Sequence, residues 1–231
     1  MQIIESSVLG VRSARLRFQH PGGKPSVTLF PMIHVGQPEF YRAAFDDAFA
    51  HDLVLVEGVK SPISARITRS YRWLLASKRI DLSLQPKSPD PGTCHATIIH
   101  ADLSAAEFAV EWRKVQLWVR LAVYLLSPLI GLQRRWFATR ETIAKDLAMD
   151  VQPSQKELVD WSPETGALTH AILESRDERL VDRLREQLSA ESKTKIAIVY
   201  GAAHMRAVIR ELTVHQGYMT GPSDWLTVFH F

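Results

Sequence analysis

The sequence predicts an α/β fold with an α+β tendency: a mixed, mainly parallel sheet from two strand–helix–strand units with a helical insertion between them. Two observations carry this. The apolar run Ile196-Ala197-Ile198-Val199 leads into Tyr200-Gly201-Ala202-Ala203-His204 and then helical spacing, just as Val27-Thr28-Leu29-Phe30-Pro31-Met32-Ile33 leads into His34 and another helical stretch. A third run, Asp52-Leu53-Val54-Leu55-Val56-Glu57, ends an apolar strand on a carboxylate. Ligands and catalytic groups collect at the carboxyl edge of open α/β sheets, so two histidines and a glutamate at strand ends mark a metal or acid/base site.

Each element has its own signal. Residues 11–19 alternate apolar and polar, His20-Pro21-Gly22-Gly23-Lys24 supplies turn chemistry, and 26–33 form the next strand. Pro38 suits a first helical turn, and Phe40, Tyr41, Ala44, Phe45, Ala48 and Phe49 mark one apolar helix face. The crossover makes the strands before His34 and Glu57 parallel, which puts both residues on one edge. In the last third, the strand 195–200 precedes a helix from about His204 through Val208, Ile209 and Leu212, with Gly217 as its stop, and 225–229 form a final strand. Short helices are expected at 105–113 and 139–147, and over 168–188 as two helices joined near Ser175. The expectation is one domain over 1–231, with 60–190 as a mostly helical insertion anchored beside the site.

The single cysteine, Cys94, precludes an internal disulfide and suits a reducing, cytoplasmic setting. No basic start with an apolar core marks a signal peptide in the first residues. The net charge of +3 is uneven: 60–140 holds 13 Lys/Arg against 5 Asp/Glu, while 141–191 holds 6 against 12. Gly-x-Ser-x-Gly elbows, phosphate loops and nucleic-acid motifs are absent, so no nucleic-acid partner is expected. His95 and His100, five apart, fit no standard zinc spacing, and nothing near Cys94 lowers a thiol pKa.

The stretch 115–132 has 13 apolar residues in 18, is punctuated by Trp112, Trp118 and Trp136, and is bracketed by Arg113, Lys114, Arg134 and Arg135. Arg120 inside it and Pro128 near its end argue against a spanning helix. The favoured reading is a helix buried in the core or at a homodimer contact. The other is peripheral membrane contact through 112–136, with aromatic anchors and basic flanks.

A histidine after a first strand, a strand ending in glutamate and a late Gly-x-x-His together resemble the TraB/PrgY/GumN/TIKI superfamily, whose hallmark is two Gly-x-x-His motifs plus a glutamate. The second motif is intact as Gly201-Ala202-Ala203-His204. The first reads Pro31-Met32-Ile33-His34, with proline where the family has glycine, and the glutamate matches Glu57. Glu174-Ser175-Arg176-Asp177 looks like the family's arginine-bearing helix, and His100-Ala101-Asp102-Leu103 resembles its mid-chain aspartate segment. The likeness covers roughly 11–59 and 173–229.

The resemblance implies a metal-dependent, peptidase-like hydrolase acting on a peptide or protein. A divalent ion, manganese or cobalt, would be held by His34, Glu57 and His204, and Arg176 would stabilise the developing oxyanion. Whether Glu57 is a ligand or the general base stays open. A non-catalytic protein that binds and sequesters a peptide signal is one alternative. A metal-free esterase, in which a histidine–glutamate pair activates water, is another.

Overall fold

The structure, a computed structural model, describes residues 2–59, 61–67, 80–88, 94–151, 168–189 and 194–231. Its first strands are β1 (Ile4–Ser7), β2 (Gly10–Gln19) and β3 (Ser26–Met32). β2 is antiparallel to β1 and, through Leu16–Phe18, to β3. After His34 come β4 (Val35–Gly36), the helix α1 (Pro38–Ala48) and the strand β5 (Leu53–Val56). Pro38 opens α1, and the expected face packs inward, with Phe40, Tyr41, Ala44 and Ala48 buried against the sheet.

The middle of the sheet is parallel. β8 (Lys195–Gly201) lies between β3 and β5, and β7 (Thr97–His100) extends the sheet beyond β5. Their side chains are a near-continuous apolar run because both faces are covered; Ile196, Ala197, Ile198 and Tyr200 are fully buried. The two units are therefore interleaved. β3 and β5 are parallel as expected, but the strand from the other end of the chain separates them.

Two expectations need refining. β7 lies within 60–190, so that stretch contributes a sheet strand as well as helices. The final strand, β10 (Asp224–His230), pairs antiparallel with β2 rather than beside β8, and the short β9 (Met219–Thr220) also joins β2. The second unit thus closes across the sheet.

Pro31 sits in an interior strand, where a proline normally removes a ladder bond. Its carbonyl accepts from Ser13 Oγ at 2.6 Å on the β2 side. A strand residue's N–H and C=O share a side, and the β2 ladder has already ended at Leu29 opposite Leu16. The missing N–H therefore falls where no strand partner is waiting, so the departure at the first motif leaves β3 intact.

The remaining described helices are α2 (Pro62–Ile67), α3 (Ala105–Lys114), α4 (Leu117–Phe137), α5 (Arg140–Val151), α6 (Ser175–Leu188) and α7 (Met205–Arg210). Ser104 and Glu107 form a capping box that starts α3. Residues 168–188 run as one helical stretch rather than as two joined helices: the π-helical segment His170–Glu174 continues directly into α6, with Ser175 Oγ donating to the His170 carbonyl. The apolar stretch forms α4, and one side of it joins a small second core, where Val115 and Val119 are buried with Trp112 and Ala171 while Val123 and Tyr124 pack against them. Val119 and Gly131 are its buried positions, while Trp118, Leu121, Leu125, Leu129 and Trp136 are exposed. Among the described residues no single helix is long and apolar enough to cross a membrane; α3 and α4, bent by 113°, pass that test only as a pair.

Candidate functional site

Four parallel strands, β3, β8, β5 and β7, deliver His34, the Gly201–His204 turn, Glu57 and Asp102 to one edge of the sheet. His34 follows β3, itself exposed but set between buried Ile33 and Val35, and its backbone is fixed from two sides: Tyr41 Oη donates to the Ile33 carbonyl at 2.9 Å, and Gln85 N donates to the His34 carbonyl at 2.9 Å. Its backbone position is thus set by α1 and by the segment after β6 (Ser83–Leu84), which pairs with β4.

Glu57 stands at the end of β5. Its Oε2 accepts from Gly201 N at 2.6 Å and its Oε1 from Arg176 Nη2 at 2.5 Å. Arg176 also makes a forked contact to Asp102, with Nε to Oδ1 at 3.0 Å and Nη2 to Oδ2 at 2.8 Å. The Asp102 side chain, 1% exposed, takes two further hydrogen bonds, from Gly58 N and Leu103 N. One buried guanidinium therefore ties two carboxylates together. Burial alone would raise both acids, yet Arg176 holds each below the ordinary carboxylate range, helped at Glu57 by His204 and His34 and at Asp102 by the two backbone donors. Burial likewise opposes the charge on Arg176, and Asp102 and Glu57 overcome it.

His204 lies in the 3₁₀ turn after β8, with its side chain 4% exposed. Nδ1 meets Asp177 Oδ1 at 2.6 Å, which sets the ring proton on Nδ1 and leaves the lone pair on Nε2. Edge-on contact with Tyr200, centroids 4.9 Å apart, holds the ring from another side. Burial pushes the Tyr200 phenol far above its ordinary range, keeping it neutral despite the opposing pull of Arg176. Consecutive residues of α6 thus serve two partners: Arg176 reaches Glu57 and Asp102, and Asp177 reaches His204.

These groups open on a cleft of about 490 Å³ lined by His34, Glu57, Arg176 and His204. Its walls are largely apolar, from Ile33 and Val35 at the sheet, Ile130 and Phe137 of α4, and Ile143 of α5. That is the usual make-up of a small-ligand site, apolar walls with a few convergent polar groups. The expected site residues all line it. Asp177, for which no role was expected, is the addition, and Asp102 proves to be the anchor of Arg176. Cys94, His95 and His100 do not line the cleft.

No family model, curated protein or solved structure matches this chain. The resemblance to the TraB/PrgY/GumN/TIKI superfamily rests on the motif residues themselves.

Proposed function

We propose that this chain is a hydrolase that cleaves an acyl bond, peptide in the first instance, in a substrate whose apolar group fills the cleft. The observation that carries the reading is the Asp177–His204 pair at the cleft, a base with its orienting carboxylate at 2.6 Å. His204 Nε2 takes the proton of a water attacking the carbonyl, Asp177 stabilises the imidazolium that forms, and His204 returns the proton to the leaving amine or alcohol as the tetrahedral intermediate collapses and the acyl bond breaks. Glu57 is a poor base near neutrality, because Arg176 keeps its carboxyl below the ordinary range. Its role is electrostatic, facing the cation that develops on His204. Arg176 is largely engaged by its two carboxylates; Nη1, with only a 3.5 Å contact to the Ile172 carbonyl, is the donor left for an oxyanion.

A divalent ion is the second reading, and the resemblance favours manganese or cobalt. Supporting it, a carboxylate on Nδ1 with Nε2 left over is how metal-ligating histidines are commonly oriented. As built, the donors fit only in part. Glu57 already accepts from Arg176 and Gly201, and no three His/Cys/Asp/Glu side chains among the described residues are grouped to hold an ion. When bound, such an ion would lower the pKa of its water toward neutrality.

The test is turnover of a peptide library and of simple esters by the parent and by His204→Ala, each with chelator and with added manganese. Chelator-resistant products lost in His204→Ala support the side-chain reading, and manganese-dependent products support the second. Peptide capture with no products under any condition overturns both and leaves a sequestering protein.

A further inference from the structure

We infer that α4 docks the protein on an anionic lipid surface. The helix turns one side toward the protein and leaves an apolar stripe outside. Trp118, Leu121, Leu125, Leu129 and Trp136 recur at helical spacing and are each 51–68% exposed, opposite the side that carries buried Val119 and Gly131. An exposed apolar stripe of this length marks an interaction surface. Tryptophan stands near each end, where an aromatic ring with one polar atom suits the boundary between headgroups and acyl chains.

Charge decides between a bilayer and a second copy. From Trp112 to Arg140 the chain has six Lys/Arg and no Asp or Glu. Arg113 and Arg135, both exposed, bracket the stripe. A second copy packed stripe to stripe would bring two such basic rims together, whereas anionic headgroups complement them at both ends. The stripe is also too short and bent away from α3 for a span, so the helix lies in the plane of the surface. The same helix walls the cleft with Ile130 and Phe137. Docking therefore sets the cleft beside the lipid surface, whatever chemistry the cleft performs.

Flotation of the full chain with vesicles of phosphatidylcholine, with and without phosphatidylglycerol, tests this. Expected are recovery with the anionic vesicles, its loss at high salt, and quenching of tryptophan emission by bromine-labelled acyl chains. Leu121→Ser and Leu125→Ser, both on the exposed face and so compatible with folding, should each weaken partitioning by about tenfold. Trp118→Phe with Trp136→Phe should remove most of the quenching while flotation persists. Arg113→Glu with Arg135→Glu should abolish the anionic preference. Unchanged far-UV circular dichroism confirms that the variants fold. Absence of flotation, equal flotation with both vesicle types, or a dimer in solution that Leu125→Ser dissociates would each overturn the proposal.

Discussion

Replacing Arg176 with methionine removes a guanidinium that is 13% exposed and leaves Glu57 and Asp102 facing each other without it. Three charge-assisted hydrogen bonds disappear, at 2.5, 2.8 and 3.0 Å. At roughly 1.5–3 kcal/mol each they set an upper bound of about 5–9 kcal/mol. Asp102 keeps Gly58 N and Leu103 N, and Glu57 keeps Gly201 N, so neither acid is stripped bare. The cost should then fall in the range for a broken buried ion pair, about 3–5 kcal/mol at neutral pH. For a chain of 231 residues, that lowers Tm by roughly 6–20 °C. The pH dependence separates this from lost packing. Without Arg176, burial raises both carboxyl groups above their unfolded values. The penalty should therefore be greatest at neutral pH and shrink as the acids protonate on acidification. Urea unfolding of parent and variant at neutral and mildly acidic pH reads both effects, and adding Asp102→Asn should recover part of the loss. A cost below about 1 kcal/mol, the scale of an exposed pair, or a penalty unchanged by pH would refute the reasoning.

Three further outcomes are expected. Asp177→Asn should lower kcat on the substrate found by the screen by on the order of a hundredfold with KM little changed, since the residue acts through His204; an unchanged kcat removes Asp177 from the mechanism. Gly201→Ala introduces a Cβ 3.1 Å from Glu57 Oε2 and 3.4 Å from His204 Cδ2; with an ordinary φ of −53° the cost in stability should stay near ~1 kcal/mol while turnover falls far more, as urea unfolding beside the same assay would register. In the parent, Glu57 and Asp102 titrate below their unfolded values, so their stabilisation is complete above the unfolded carboxyl pKa of about 4 and is lost as pH falls through the lower folded values; Glu57→Gln with Asp102→Asn should flatten the acid limb of a stability–pH curve.

What could be read from the chain was local. The apolar runs of β3, β5 and β8 and Pro38 opening α1 are signals carried within one element, and each appears where its residues put it. Strand order is a property of distant pairings, which is why β8 between β3 and β5 was not legible from either unit. β7 is a four-residue strand at 97–100 with two isoleucines, too short for alternation to register. Asp177 was hidden by its neighbour: beside Arg176, near the start of a helix, a carboxylate reads as a solvated first-turn charge favoured by the helix dipole. In the 115–132 stretch apolar content alone does not tell a core-facing helix from one at a dimer contact or a lipid surface; buried Val119 and Gly131 and exposed Trp118 and Leu125 divide the helix into two faces.

The interleaving of β8 also orders the chain's assembly in time. Residues 26–32 and 53–56 are synthesised some 140 to 170 positions before the strand that must lie between them. Until then the growing chain holds two apolar strands with facing edges that have no native partner, the kind of surface that invites association with other chains and engages chaperones. Pairings so remote in sequence also slow the final closure. The strand that completes the sheet brings Gly201 to Glu57 and His204 to Asp177 in the same step, so a nascent or truncated chain lacking 195–204 would have neither a finished sheet nor an assembled site.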